Sequence, residues 1–188
     1  MIDMNKLSYE DGIYAQHIKA ISEMTILNGH FNNSGINHAK IVLATIFDKA
    51  EKELKILAES LTSPVAKSEL YIDNIHEFLN KNNKKTKVKV LVKNDEILNN
   101  NPLLLKLFKA HNNQVDIRIR DVDVLDNNKK SIHFTLADDK IYRLEENIVD
   151  FKAYGSFNNS NMNQQLSEIF ERIFEAIPQS RRIILQSI

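Results

Sequence analysis

The feature that most restricts the fold is a change of hydrophobic period that recurs along the middle of the chain. In "KELKILAES", Leu54, Ile56 and Ala58 alternate with Glu53, Lys55 and Glu59, and Leu57 is the one apolar residue on the polar side. "TKVKVLVKN" has a β-branched interior from Val88 to Val92, and "QVDIRIRDVDV" sets Val115, Ile117 and Ile119 against Asp116, Arg118 and Arg120. A period of two fits a strand with distinct faces. Between these stretches the period lengthens. "INHAKIVLATIFDKA" repeats apolar residues at Ile41, Leu43, Ala44, Ile46 and Phe47, and "SPVAKSELYIDNIHEFLNKN" at Leu70, Ile72, Ile75, Phe78 and Leu79. "NNNPLLLKLFKAHNN" places Pro102 where a helix begins, since the first turn does not need its amide hydrogen. Strands that alternate with helices in this way predict an α/β layer structure.

Beyond residue 130 the pattern changes. "SIHFTLAD", "KIYRLE" and "FKAYGSF" are three short strand candidates in succession, separated by turn-like "ADDK" and "EENIVD". "NMNQQLSEIFERIFEAI" follows as an amphipathic helix, with Leu166, Ile169, Phe170, Ile173, Phe174 and Ile177 on one stripe and Pro178 at its end. "QSRRIILQSI" is a tail apolar enough to pair or pack. At the other end, Ile13, Tyr14, Ile18, Ile21 and Ile26 predict a helix over about 11–27, broken by "NGHFNNSG". The expected architecture is α/β, with a mixed, mostly parallel sheet flanked by helices. Residues 1–35 form an N-terminal helical extension and 36–188 the α/β domain.

Composition removes several classes of function. The 188 residues carry 25 Lys plus Arg and 25 Asp plus Glu, so the net charge is zero and no overall field draws the chain to nucleic acid or membrane. With no cysteine, disulfides, thiolate nucleophiles and Cys-based metal sites are excluded. His17, His30, His38, His76 and His111 show no metal-ligand spacing, so no metal is expected. No cofactor is expected either, and four glycines leave no phosphate-cradling loop. The N-terminus lacks the basic and apolar regions of a signal peptide, and no apolar run approaches the ~20 residues of a membrane span. A cytoplasmic location is expected. Lys81, Lys84, Lys85, Lys87, Lys89 and Lys93 crowd one segment; a solvated strand edge is the ordinary reading and phosphate contact the functional one.

The chemistry concentrates between Ser131 and Asn159. His133 stands early on a strand, and the stretch ends in Gly155-Ser156-Phe157-Asn158, followed by a helix. The element order from about Ile36 to Pro178, with this motif, resembles one half of the phospholipase D-like fold. In that superfamily a hairpin carries His-x-Lys, four residues, Asp, six residues and Gly-Ser-x-Asn. Here Thr135 stands where the lysine belongs and Lys140 where the aspartate belongs, with Asp138 and Asp139 slightly earlier. The 22 positions from His133 to Gly155 also exceed the motif's interval, so "IYRLEENIVDF" must lengthen the hairpin.

The resemblance implies His133 as the nucleophile on phosphorus, a second histidine from another subunit as the acid, and Ser156 and Asn158 near the phosphoryl group. One half-motif per chain implies a homodimer. Thr135 offers a neutral hydrogen bond in place of the lysine charge, and Arg143 is the residue able to restore that charge. Asp138 and Glu145 complete the polar cluster. Strand alternation places Ser131, His133, Thr135 and Ala137 on one face and Ile132, Phe134 and Leu136 on the other, the apolar one being core.

Three readings follow. In the plainest, His133 is a satisfied strand histidine, Arg143 and Glu145 form a surface pair, and Asn158 caps the last helix. In the second, which leads for function, the domain is a catalytically degenerate, bacterial-type, phospholipase D-like module that binds or assembles as a dimer. In the third, it is a homodimeric, metal-independent phosphodiesterase or nuclease with His133 as nucleophile. Nucleic acid or another phosphate-bearing ligand is the partner expected besides a second copy.

Overall fold

A computed structural model describes residues 7–24, 29–125 and 128–185. Its elements run α1 (Tyr9–Glu23), β1 (His30–Asn33), α2 (Ile36–Lys49), β2 (Glu53–Leu57), α3 (Glu69–Asn80), β3 (Lys87–Val92), α4 (Ile97–Asn100), α5 (Pro102–Ala110), β4 (Val115–Ile119), β5 (His133–Ala137), β6 (Ile141–Asn147), β7 (Lys152–Ser156) and α6 (Ser160–Ala176). The last residues of the helix expected over 11–27, Ile26 among them, and the end of the tail lie outside the described residues. Pro102 opens α5, and the Asn101 side chain accepts from the Leu104 amide at that helix start.

The seven strands form one sheet in the order β1-β7-β6-β5-β2-β3-β4. The expectation of a mostly parallel sheet is wrong. Only β2–β3 and β3–β4 are parallel, while β2–β5, β5–β6, β6–β7 and β1–β7 are antiparallel. Parallel neighbours need a crossover long enough to return the chain, and only the segments carrying α3 and α4–α5 supply one. From β5 onward the links are tight turns, so each strand reverses on its predecessor. β1 was not foreseen as a strand. It pairs with β7 at the edge of the same sheet, and α1 sends Ala15, Ile18 and Ile21 into the same core as α2.

Each face of the sheet has its own core. On one, Leu54, Ile56, Val88, Val90, Val115 and Ile117 pack beneath α2, α3 and α5. The inner face of α3 presents Tyr71, Asn74, Ile75, Phe78 and Leu79, a helical stripe that passes through Tyr71 rather than its neighbours Leu70 and Ile72. On the other face, α6 buries Leu166, Phe170 and Phe174 against Phe134, Leu136, Tyr142, Leu91 and Leu57. Leu57, out of phase in the sequence, is thus the point where the second core reaches β2. Lys55 and Lys89 sit beside α6 and pair with Glu171 at 2.9 Å each. β3 is an interior strand, so its lysines are not a sheet edge. Lys81 instead donates to the Asp48 and Ala50 carbonyls at the end of α2. Beyond α6 the tail turns back, and the Ile183 amide donates to the Ile117 carbonyl at 2.9 Å.

Two residues of the catalytic-like segment hold this frame together. Gly155 lies under the Phe31 ring and beside the Tyr142 carbonyl, where a β-carbon would overlap both. Asp138, at positive φ in the β5–β6 turn, accepts from the Glu51, Lys52 and Glu53 amides at 2.9, 2.8 and 3.0 Å, fastening the turn to the start of β2. Gly155→Ala is expected to cost about 3 kcal/mol through backbone displacement, read as a lowered urea midpoint. Asp138→Ala, which leaves three amides without their acceptor, is expected to cost about 2 kcal/mol in the same measurement.

Candidate functional site

The register of the antiparallel strands assembles the site. His133 on β5 lies opposite Glu145 on β6, and Thr135 lies opposite Arg143. Because side chains in register share a face, all four project to the side covered by α2 and α3. They are buried: His133 is 8% exposed, Thr135 6%, Arg143 4% and Glu145 7%. Both faces of β5 are therefore interior, whereas only the face of Ile132, Phe134 and Leu136 was expected to be core. The Arg143–Glu145 pair exists, but inside the protein.

Arg143 is the hub. One of its terminal nitrogens donates to Glu145 Oε1 at 3.0 Å, and its Nε donates to Asn33 Oδ1 at 3.0 Å. Asn33 in turn donates to the Phe151 carbonyl at 2.6 Å, which fixes the amide orientation that Arg143 needs. The other oxygen of Glu145 contacts His133 Nδ1 at 3.4 Å. Burial pushes the Glu145 carboxyl up, but the neighbouring His133 ring and the Arg143 guanidinium outweigh it and hold the group below its ordinary value. The same guanidinium acts on the buried phenol of Tyr71, which burial pushes up and the Arg143 charge draws back in part.

A carboxylate on Nδ1 selects the tautomer that carries its proton there and leaves the lone pair on Nε2. Nε2 is screened from solvent and has no hydrogen-bond partner among the described residues. A cavity of about 240 Å³ adjoins this group, lined by His133, Thr135, Arg143 and Glu145, by Tyr71, and by the residues from Ala58 to Ser63 that follow β2. The carboxyl end of a parallel strand is where open α/β sheets commonly hold ligands.

The remaining sequence candidates are not gathered here. Ser156 is in register with Tyr142, whose side chain packs against α6, so strand alternation directs Ser156 to the opposite face from His133. Its hydroxyl accepts from the Asn158 amide at 3.0 Å. Asn158 lies in the link to α6, and the cap of that helix is Asn159, which accepts from the Met162 amide. Asp138 is at the far end of β5. The interval from His133 to Gly155 contains a whole strand, β6. Two residues of the cluster were not singled out from the sequence: Asn33, because β1 is only four residues long, and Tyr71, because its helix was read through its neighbours. Among the described residues no three His, Asp or Glu side chains converge as metal ligands, and no helix is long and apolar enough to cross a membrane.

Glu145 gives the cluster a defined acid response. Its folded carboxyl titrates below the ordinary 4.5, so its stabilisation is complete above that value and is lost as pH falls through the folded-state value. Glu145→Gln is expected to be less stable at neutral pH by about 3 kcal/mol. Its stability should also fall less steeply than the wild type's below pH 4.5. Urea unfolding at a series of pH values checks both.

No family model matches the chain, and no curated protein matches it. Solved structures do. The fold is similar to that of TrmBL2, an archaeal chromatin protein whose structure shows a novel mode of DNA binding, with a TM-score of 0.57 at 11% identity over 90% of this chain and 62% of that one. The chain thus spans less than two thirds of that protein's length. It is also similar to Nuc from Salmonella typhimurium, a phospholipase D family member, with a TM-score of 0.56 at 9% identity over 84% of this chain and 99% of that one. NucT from Helicobacter pylori gives a TM-score of 0.53 at 14% identity over 79% and 98%. At these identities the likeness is one of fold alone, shared with a phospholipase D family member among others.

Proposed function

We propose that the chain is a binding domain on a phospholipase D-like frame that does not cleave phosphodiesters. The observation that carries this reading is the commitment of Arg143. Phosphoryl transfer needs positive charge and donors aimed at the phosphoryl oxygens as charge develops. The lysine of the motif is replaced by Thr135, and the charge of Arg143 is matched inside the protein by Glu145, with Asn33 accepting from its Nε. Ser156 and Asn158 stand apart from His133, which weakens the phosphate-site reading further.

One observation favours the rival reading, a metal-independent phosphodiesterase with His133 as nucleophile. The Glu145 carboxylate contacts Nδ1, the side from which a carboxylate orients a reacting histidine. A base without a site for the phosphoryl charge is half of the machinery, so the binding reading is preferred. Homodimerisation belongs to the proposal on the strength of the resemblance, and sedimentation equilibrium reads it directly.

Purified protein incubated with single- and double-stranded DNA, RNA and a chromogenic phosphodiester, with and without EDTA, is expected to leave every substrate at background. Cleavage that survives EDTA and disappears in His133→Ala would overturn the proposal.

A further inference from the structure

The cavity beside His133 has walls of a definite character. Ala39 and Leu43 from α2, Ile56 from β2, and Val65 and Tyr71 at and before α3 make most of it apolar. At its polar end Arg143 and Glu145 pair at 3.0 Å, and Glu59, the other charged residue of the wall, is exposed and lies 4.0 Å from Lys93. An anion entering would lose its hydration without meeting a free cation, and a cation would meet a carboxylate already satisfied. What stays unmatched is the Nε2 lone pair of His133, on a side chain 10% exposed and too deeply screened for solvent to serve it. Such an orphaned acceptor destabilises a native protein and calls for a function. The imidazole is part of the cavity wall, and the torsion that orients it is soft, so a small turn presents Nε2 to a group seated in the cavity.

We infer that this cavity takes a small uncharged ligand, apolar in its body, that donates one hydrogen bond to His133 Nε2. The inference rests on the non-catalytic reading above and names the ligand class for it. The 240 Å³ volume sets the size. A dry protein cavity of ~150 Å³ holds benzene, so this one has room for about ten non-hydrogen atoms. A phenol or a short ring-bearing alcohol has the required size and donor.

The test compares two molecules of one shape on the full chain, p-cresol and p-xylene, with phenyl phosphate as the anionic control. Methyl NMR shifts at Leu43, Ile56 and Val65 report occupancy and position. p-Cresol is expected to shift all three with an affinity about tenfold above that of p-xylene, because only the phenol satisfies the buried acceptor. In His133→Phe the two should bind alike, and phenyl phosphate should leave these methyls unmoved in both proteins. Equal affinities for cresol and xylene in the wild type, tighter binding of phenyl phosphate, or no shift with any of the three overturns the inference. The wild-type comparison decides even if His133→Phe does not fold. The cleavage assay above is run on the same preparation. Cleavage there defeats the non-catalytic reading itself, whereas its absence together with equal cresol and xylene affinities defeats only the ligand assignment.

Discussion

The buried pairing of Arg143 with Glu145 is the interaction on which the rest of the site depends. A guanidinium 4% exposed is tolerable only if its charge and its donors are met from within. Glu145 meets the charge, and Asn33 meets the Nε donor. Asn33 can do so because β1 is drawn into the sheet beside β7, and because its own amide is held by the Phe151 carbonyl. The same carboxylate then fixes His133. One cation thus sets the orientation of side chains from three strands, and the cavity at the end of β2 takes its polar wall from them.

The proposed binding role on a frame similar in fold to that of a phospholipase D family member follows from this arrangement. The fold places a strand histidine in the wall of a cavity. Whether phosphate is welcome there depends on free positive charge, and here the charge is spent on a neighbour. The Gly-Ser-x-Asn segment remains important for packing. Gly155 lets the Phe31 ring and the Tyr142 carbonyl approach the strand, and Ser156 turns the chain toward α6. Its resemblance to a catalytic motif therefore reports the path of the backbone more than the chemistry of the site.

Much of this was legible in the sequence where a periodic signal was long enough. The alternation at Val115, Ile117 and Ile119 located β4, and the stripe from Leu166 to Phe174 located α6. The two-residue period also put His133 and Thr135 on one face. Sheet direction was misjudged because local periodicity says nothing about which neighbour a strand chooses. The antiparallel pairing of β2 with β5 joins residues about eighty positions apart, and that is a tertiary outcome. Burial of both faces of β5 was missed for a related reason, since α2 and α3 cover the polar side from a distance in sequence. Asn33 had no signal at all: "HFNN" is too short to show a period, and its value lies in a partner 110 residues away.

The positive charge of Arg143 is paired with Glu145, and on the proposed reading it is withheld from phosphate. The most direct measurement is an NMR titration of the full chain with inorganic phosphate, observed at the Arg143 Nε–H and the His133 ring nitrogens. The account predicts that neither signal moves at millimolar phosphate beyond the effect of ionic strength. Saturable shifts at both, with micromolar affinity, would show that the guanidinium leaves Glu145 for an anion and would contradict it.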